Sequence, residues 1–498
     1  MADVTIDSPY RADDDFVWLK GNFHTHTTRS DGMQSPQETV DGYAALGYDF
    51  LGLSDHDTAP DMDGLNARGM ILVPVSEVSG AGAHVLALGV ADAIPVRQAQ
   101  QAKLDAIRKA DGLPVLCHPG WGDQYDHYPI GRMLDLQNYV GIEIFNGGVE
   151  DEAGNACSTD KWDRVLSEDR LVWGLASDDA HVPMGQGRGW CVAQASDRSL
   201  AALLDAMRRG AFYASTGVTI ERIERDGTRV RIHASNADGI AAIGAWSRRL
   251  AWTDGTVLEF DAAACTSPYV RFECFGRAGR KAWTQPFRLG GESMDRMRAL
   301  RAERPALQVL RTDRAPVLSG RMDDPLWRKA PAVTRFVRCY GADAAPVQTE
   351  LRALTDGREI FFGVRCEEPN TAMLKISVQR HGSSNLWTDD GIELFMDVDN
   401  GVKRYFHAMV SAGGFAWMGE QGDTEDAPRR VPGIRAASFR GPSEYGLEIA
   451  IDVSAEPGTM WGFNCVRNRH AGVEPDSFAW SFTGGSNHCP RRFGALRF

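Results

Sequence analysis

Lysine is scarce in this chain: only eight of its 54 basic residues are Lys, and the rest are Arg. Cationic contacts to an anionic substrate therefore fall to guanidinium forks, which suit phosphate and carboxylate. Paired cysteines are also missing. Nine Cys are scattered with no CxxC pair, which excludes a disulfide framework or a zinc ribbon and reads as reduced thiols in a cytosolic-type protein. No apolar run approaches the roughly 18 residues needed to span a membrane. The opening MADVTIDSPYRADDD has no basic segment followed by an apolar one, so no signal peptide is visible. The cytoplasm is the expected compartment, with the periplasm or secretion open to a chain that has been trimmed. Positive charge is in deficit: the formal net charge is -13, which argues against wrapping long nucleic acid. Internal repeats and low-complexity tracts are absent.

A content of 43% hydrophobic and 24% charged residues is that of a globular protein. The 498 residues suggest about two to four domains. Over residues 16–216, short apolar runs alternate with helical patterns. The runs are 16–19, 50–53, 71–75, 85–88, 115–117, 142–145 and 171–175. Helical patterns cover 36–46 (with Ser35 as N-cap), 97–110 and 158–166. About seven strands in βα alternation predict a (β/α)7-type barrel over 1–216. Residues 217–300 read as a small antiparallel β module, with 292–308 a charged linker or short helix. Residues 301–498 read as a β-sandwich.

Seven of the twelve His fall between residues 24 and 181, and polar residues recur just past the apolar runs. His24 and His26 follow the first run. Asp55 and His56 follow the second, Glu77 the third, His118 the fifth, and Asp179 and His181 the seventh. The carboxyl ends of parallel strands converge on one face, which carries the chemistry in a βα barrel. His24-x-His26 and Asp179-x-His181 each place two ligands on one side of an extended segment. Imidazole with carboxylate suits Zn, Mn or Fe. Two or three cations held close together also need a bridging carboxylate, and Glu77 is the candidate.

The segments HTHTTRSDG (24–32), SDHD (54–57), SEVSG (76–80), AHVLALG (83–89), CHPG (117–120) and SDDAH (177–181) resemble the PHP (polymerase and histidinol phosphatase) superfamily. The resemblance implies a distorted (β/α)7 barrel holding up to three metals. His24, His26, Glu77 and Asp179 would hold one ion, and Glu77, His84 and His118 a second. Asp31, His56 and His181 would hold a third, and Asp178 would stand behind Asp179. GAFYASTG (210–217) and AWTQPFRL (282–289) resemble the β appendage of carbaryl-hydrolase-type PHP proteins. SGRMDDPLW (319–327), NLWTDDGIELFMDVD (385–399) and RRFGALRF (491–498) resemble family 9 carbohydrate-binding modules. That likeness implies an exposed aromatic clamp on a sugar, with Trp387 and Trp480 as its sides.

The expected function is a metal-dependent phosphoesterase acting on a small or sugar-linked phosphoester. It would use two to three divalent ions, with Glu77, Asp179 and His181 at the catalytic centre. Arg29 and Arg188 are candidates to touch an anionic substrate, although each also fits a surface ion pair. His127 is a candidate general acid or an exposed loop residue. A carbamate, ester or amide hydrolase, a nuclease of short oligonucleotides, and a sugar-binding protein with a non-catalytic barrel are the alternatives.

Overall fold

The computed structural model describes residues 4–11, 15–341, 343–422 and 429–498. Parts of the acidic opening, residues 1–3 and 12–14, lie outside them. The chain divides into two compact units, Met1–Met294 and Asp295–Phe498. Among the described residues no helix is long and apolar enough to cross a membrane.

In the first unit every expected apolar run becomes a strand. After β1 (Thr5–Asp7) come β2 (Val17–Asn22), β3 (Phe50–Leu53), β4 (Ile71–Pro74), β5 (Glu77–Val78) and β6 (Val85–Leu88). Then follow β7 (Leu113–Leu116), β8 (Gly141–Asn146), β9 (Trp173–Ser177), β10 (Trp190–Ala195) and β11 (Phe212–Ser215). The helices are α1 (Pro36–Ala45), α2 (Gln100–Lys109), α3 (Ile130–Asp135), α4 (Thr159–Ser167) and α5 (Leu200–Arg209). α1 starts where Ser35 and Glu38 form a capping box, each side chain serving the other's backbone amide. α5 ends at Gly210, whose φ of 76° is left-handed.

The strands do not close into one continuous barrel ladder. Parallel β2, β3 and β4 continue through antiparallel β10 and β11 as one sheet, while β5 to β9 form another. β4 ends at Pro74, which still pairs with Leu53 of β3. Beyond it the chain makes the two-residue β5, which pairs antiparallel with β6. Isolated bridges, Thr25 with Ala180 and His56 with Glu77, and the bonds from the Gly89 and Ala87 amides to the Pro74 and Ser76 carbonyls join the two sheets.

Leu19, Phe23, Phe50, Val75, Leu86, Val115, Leu175 and Phe212 form one buried cluster drawn from both sheets. Each such side chain contributes about 1.5–3 kcal/mol when fully buried. At Gly21 an added Cβ would lie 2.2 Å from the Phe50 ring, so glycine lets β2 and β3 approach.

The region 217–290 adds β12 (Arg222–Asp226), β13 (Arg229–His233), β14 (Ala237–Gly244), β15 (Arg248–Asp254), β16 (Val257–Asp261), β17 (Tyr269–Gly276), β18 (Lys281–Thr284) and β19 (Phe287–Gly290). β18 pairs with β11, so β14, β15, β17, β18, β19 and β1 extend the first sheet, and β12, β13 and β16 form a sheet of three. Arg271 and Asp163, both buried and 2.6 Å apart, tie β17 to α4. The charged stretch 292–308 contains a helix, Glu292–Ala302. The second unit packs an eight-stranded sheet and a five-stranded sheet around one apolar core.

Candidate metal centre

Glu77, 1% exposed, stands at the centre of five imidazoles. Its Oε2 lies 3.2 Å from His24 Nε2, 3.3 Å from His26 Nε2 and 3.1 Å from His56 Nδ1. Its Oε1 lies 2.9 Å from His84 Nδ1 and 3.2 Å from His118 Nε2. Asp179 closes one side, with Oδ1 3.1 Å from both His24 Nε2 and His26 Nε2. Asp31 closes another, with Oδ2 3.5 Å from the Nε2 atoms of His56 and His181. All nine residues expected from the PHP likeness are therefore drawn together. His24, His26, Glu77 and Asp179 have donor atoms within 4.8 Å of one another, as do His26, Asp31, His56 and His181.

Several of these short separations are not hydrogen bonds. His24 Nε2 and His56 Nδ1 are buried with no hydrogen-bond partner, although a Glu77 oxygen is close to each. Their lone pairs converge on shared points rather than on donors. Donors about 2.0–2.2 Å from a common ion sit about 3 Å apart, the spacing found here. A divalent cation would satisfy these nitrogens together with the carboxylates beside them, so the residues present fit such ions.

Burial alone would keep His24 and His26 neutral. Asp179 and Glu77, joined at His24 by Glu143, reverse this, and His26 is pushed up to about 9. Burial works against ionised Glu77 too, but His24 and its neighbours hold its carboxyl well below the usual range. The backbone is strained at two expected ligands, His118 (φ 28°) and Asp179 (φ 51°). Such non-glycine conformations cost about 1–3 kcal/mol each and cluster at functional sites.

Residues around the ligands hold them in place. Glu143, buried in the middle of β8, accepts from His24 Nδ1 at 2.8 Å and from the His118 amide at 2.8 Å. That bond turns the Nε2 lone pair of His24 toward Glu77. Glu143 was not among the sequence candidates, because it lies inside an apolar run and not past its end. Asp55 accepts from the Thr27 amide and from the Thr27 and Ser30 hydroxyls, ordering the loop after His26. Asp178 points away from the cluster. It accepts from the amides of Gly187, Arg188 and Gly189 and from the Tyr43 hydroxyl, and burial pushes it up to about 6.

Three expectations need correction. His127 is not an exposed loop residue. Its ring packs against His84, His118 and Trp121, and its Nε2 accepts from the His84 amide at 3.0 Å. The lone pair a metal would need is thus taken, although the three imidazoles lie close together. Burial, then the neighbouring His118 and His84, lowers it to about 3. Arg29 turns outward to the carbonyl and carboxylate of Asp61 and does not line the cavity, because the exposed Asp61 satisfies its guanidinium. Arg188 does line it, held 2.8 Å from Asp151 and 3.0 Å from the Gly147 carbonyl.

The third correction concerns the aromatic clamp. Trp387 is 57% exposed, but Trp480 is 6% exposed and packs on Phe463 in the core. Period-two alternation explains this, since Trp480 shares a face with buried Phe478. The strands Gly391–Asp397 and Arg404–Ser411 also carry a polar and aromatic group that is mostly buried. His407 Nε2 meets Glu393 at 2.7 Å, Asn468 donates to Glu393 at 2.6 Å, and the His407 ring stacks on Phe395 with Trp417 beside it.

Residues 318–498 match the family model described as carbohydrate family 9 binding domain-like, so the second unit contains a domain of that kind. The chain is 25% identical over 190 residues to an endo-1,4-beta-xylanase A of Thermotoga neapolitana. That match covers 36% of this chain and 17% of the xylanase, so the chain spans under a fifth of that relative's length. Among solved structures, a family 9 module from Caldicellulosiruptor kristjanssonii in complex with glucose is 18% identical, with a TM-score of 0.30. It covers 39% of this chain and 95% of its own. A two-domain protein from Bacteroides vulgatus containing a predicted PHP-like metal-dependent phosphoesterase is 20% identical, with a TM-score of 0.34. That one covers 54% of this chain and 93% of its own. At those TM-scores neither overlay carries an argument about this chain.

Proposed function

We propose that the first unit is a PHP-type metal-dependent hydrolase that cleaves small phosphoesters. The observation that carries this reading is the buried Glu77 carboxylate shared by five imidazoles, with orphaned nitrogens converging on it. His24, His26, Glu77 and Asp179 would hold one ion, Glu77, His84 and His118 a second, and Asp31, His56 and His181 a third. Zn, Mn or Fe suits this donor set. Bound ions of this kind supply an activated water and neutralise phosphoryl oxygens. The chain itself presents the lone pairs in fixed directions, through Glu143 on His24 and Asp55 on the loop after His26. The sites open into a cavity of about 350 Å³ lined also by Trp121, Val149, Asp151, Glu152 and Arg188. That volume admits a small substrate.

A metal-reconstituted sample assayed on phosphomonoesters, phosphodiesters, carboxyl esters and carbamates tests the reading. Turnover of p-nitrophenyl phosphate or its diester analogue is expected. If only carboxyl esters or carbamates react, the carbaryl-hydrolase-type alternative replaces the phosphoesterase.

For the second unit we propose weak sugar binding, supported by the family 9 match, with half-buried Trp417 beside His407 as the candidate platform. Aromatic stacking of this kind contributes about 1–3 kcal/mol, by analogy with base–aromatic stacking. Titrating the chain with glucose and cellotriose while following Trp fluorescence is expected to show binding that Trp417→Ala weakens. A flat titration with every sugar would leave the unit with a packing role.

A further inference from the structure

The cavity over the metal centre has a second half that the ligands do not use, and its chemistry is different. Trp121 forms part of that wall, with its ring against His84 and His118. The indole has a single polar atom, and Nε1 spends it on Glu152 at 2.5 Å. What Trp121 leaves to the cavity is therefore hydrocarbon ring. The residue is also held in place before any substrate arrives. Lys161, reaching from α4, donates to the carbonyls of Pro119, Tyr125 and Tyr128 at 2.7–2.9 Å. That one ammonium pins the loop 119–128 at three points.

Beside the indole stand the carboxylates of Asp151 and Glu152. Each has one oxygen engaged, by Arg188 and by Trp121 respectively, and one left to accept hydrogen bonds. Arg188 is already matched by Asp151, so this rim carries surplus negative charge. A second phosphate would be repelled there, and a neutral group with hydroxyl donors would be accepted. An apolar platform next to carboxylate acceptors matches a sugar ring, whose C–H face stacks while its hydroxyls donate.

We infer that Trp121, Asp151 and Glu152 form a leaving-group subsite for a neutral sugar ring, making the substrate a monosaccharide monophosphate. This rests on the hydrolase reading of the same site and specifies its substrate.

The test compares kcat/KM of the metal-loaded chain on glucose 1-phosphate, glycerol 3-phosphate and a nucleoside monophosphate. The glucose ester is expected to exceed the acyclic glycerol ester by at least about tenfold, the scale of one ring stacked on an aromatic. Trp121→Ala should bring that ratio to about one, chiefly through KM, and Trp121→Phe should retain most of it. If Trp121→Ala does not fold, Glu152→Gln, which removes an acceptor, should lower the ratio by itself. A wild-type ratio near one, a ratio unmoved by Trp121→Ala or, where that variant does not fold, by Glu152→Gln, or a preference for the nucleotide would overturn the inference. The same ratio can be read on acetyl esters of glucose and glycerol. Failure of every phosphoester would then strike the phosphoesterase reading while the sugar subsite was still judged separately.

Discussion

Glu77→Gln is expected to lower turnover by roughly 100-fold or more while leaving the fold largely intact. The amide has nearly the same shape, so the packing around β5 should survive. What changes is the charge shared by five imidazoles and, with ions present, by two or three cations. A Gln can offer one carbonyl oxygen, not two, and its other atom is an N–H donor aimed where an ion would sit. A loss of that size corresponds to about 2.7 kcal/mol of transition-state stabilisation. kcat/KM, ion content and far-UV circular dichroism on the same sample separate a chemical effect from an unfolded one. His127→Ala should cost much less, since His127 supports the His84 loop and offers no lone pair. Near-normal turnover in Glu77→Gln would place the active site elsewhere.

The second large effect concerns the ions. Purified without chelator, the protein is expected to carry about two to three divalent ions per chain. Stripping them should abolish activity and also change how stability depends on pH. In the stripped protein, His24 and His26 sit above the ordinary value of 6.5, His26 at about 9. A raised histidine contributes stability that is complete below 6.5 and lost as pH rises through its folded value. Glu77, held below its ordinary 4.5, contributes stability present above that value and lost on acidification. The stripped protein should therefore melt highest between about pH 4.5 and 6.5 and lower toward pH 9. Ion binding needs unprotonated nitrogens and releases protons, so it strengthens as pH rises. The melting gap between loaded and stripped samples should widen from pH 6 to 9. Well under one ion per chain with no reconstitution by Mn or Zn, or a gap that ignores pH, would contradict the metal centre.

Much of this was legible in the chain because the signals are local. Each apolar run in 16–175 is a strand, and ligands placed just past those runs converge because strand ends do. Asp179 could be separated from Asp178 by the Asp-x-His spacing alone. The missed features depend on longer-range geometry. Glu143 lies within a run, and only the pairing of β8 with β7 and β9 brings it under His24. His127 reads as a loop residue until the Lys161 anchor folds that loop back onto His84. Trp480 had a usable signal, its alternation with Phe478, which outweighs the appeal of a second tryptophan.

The seam between the two sheets runs through the ligands. His24, His26, Asp31 and His56 extend from the strands of one sheet, and Glu77, His84, His118 and Asp179 from the other. The two isolated bridges across it fall at Thr25 and His56, within the ligand segments themselves. Cations held there would add to the backbone bridges and the shared apolar core that join the two sheets, so catalysis and architecture would share one set of bonds. A lineage that abandoned the chemistry would lose that added stability, while the core of Leu19, Phe50, Leu86 and Val115 still held the sheets together.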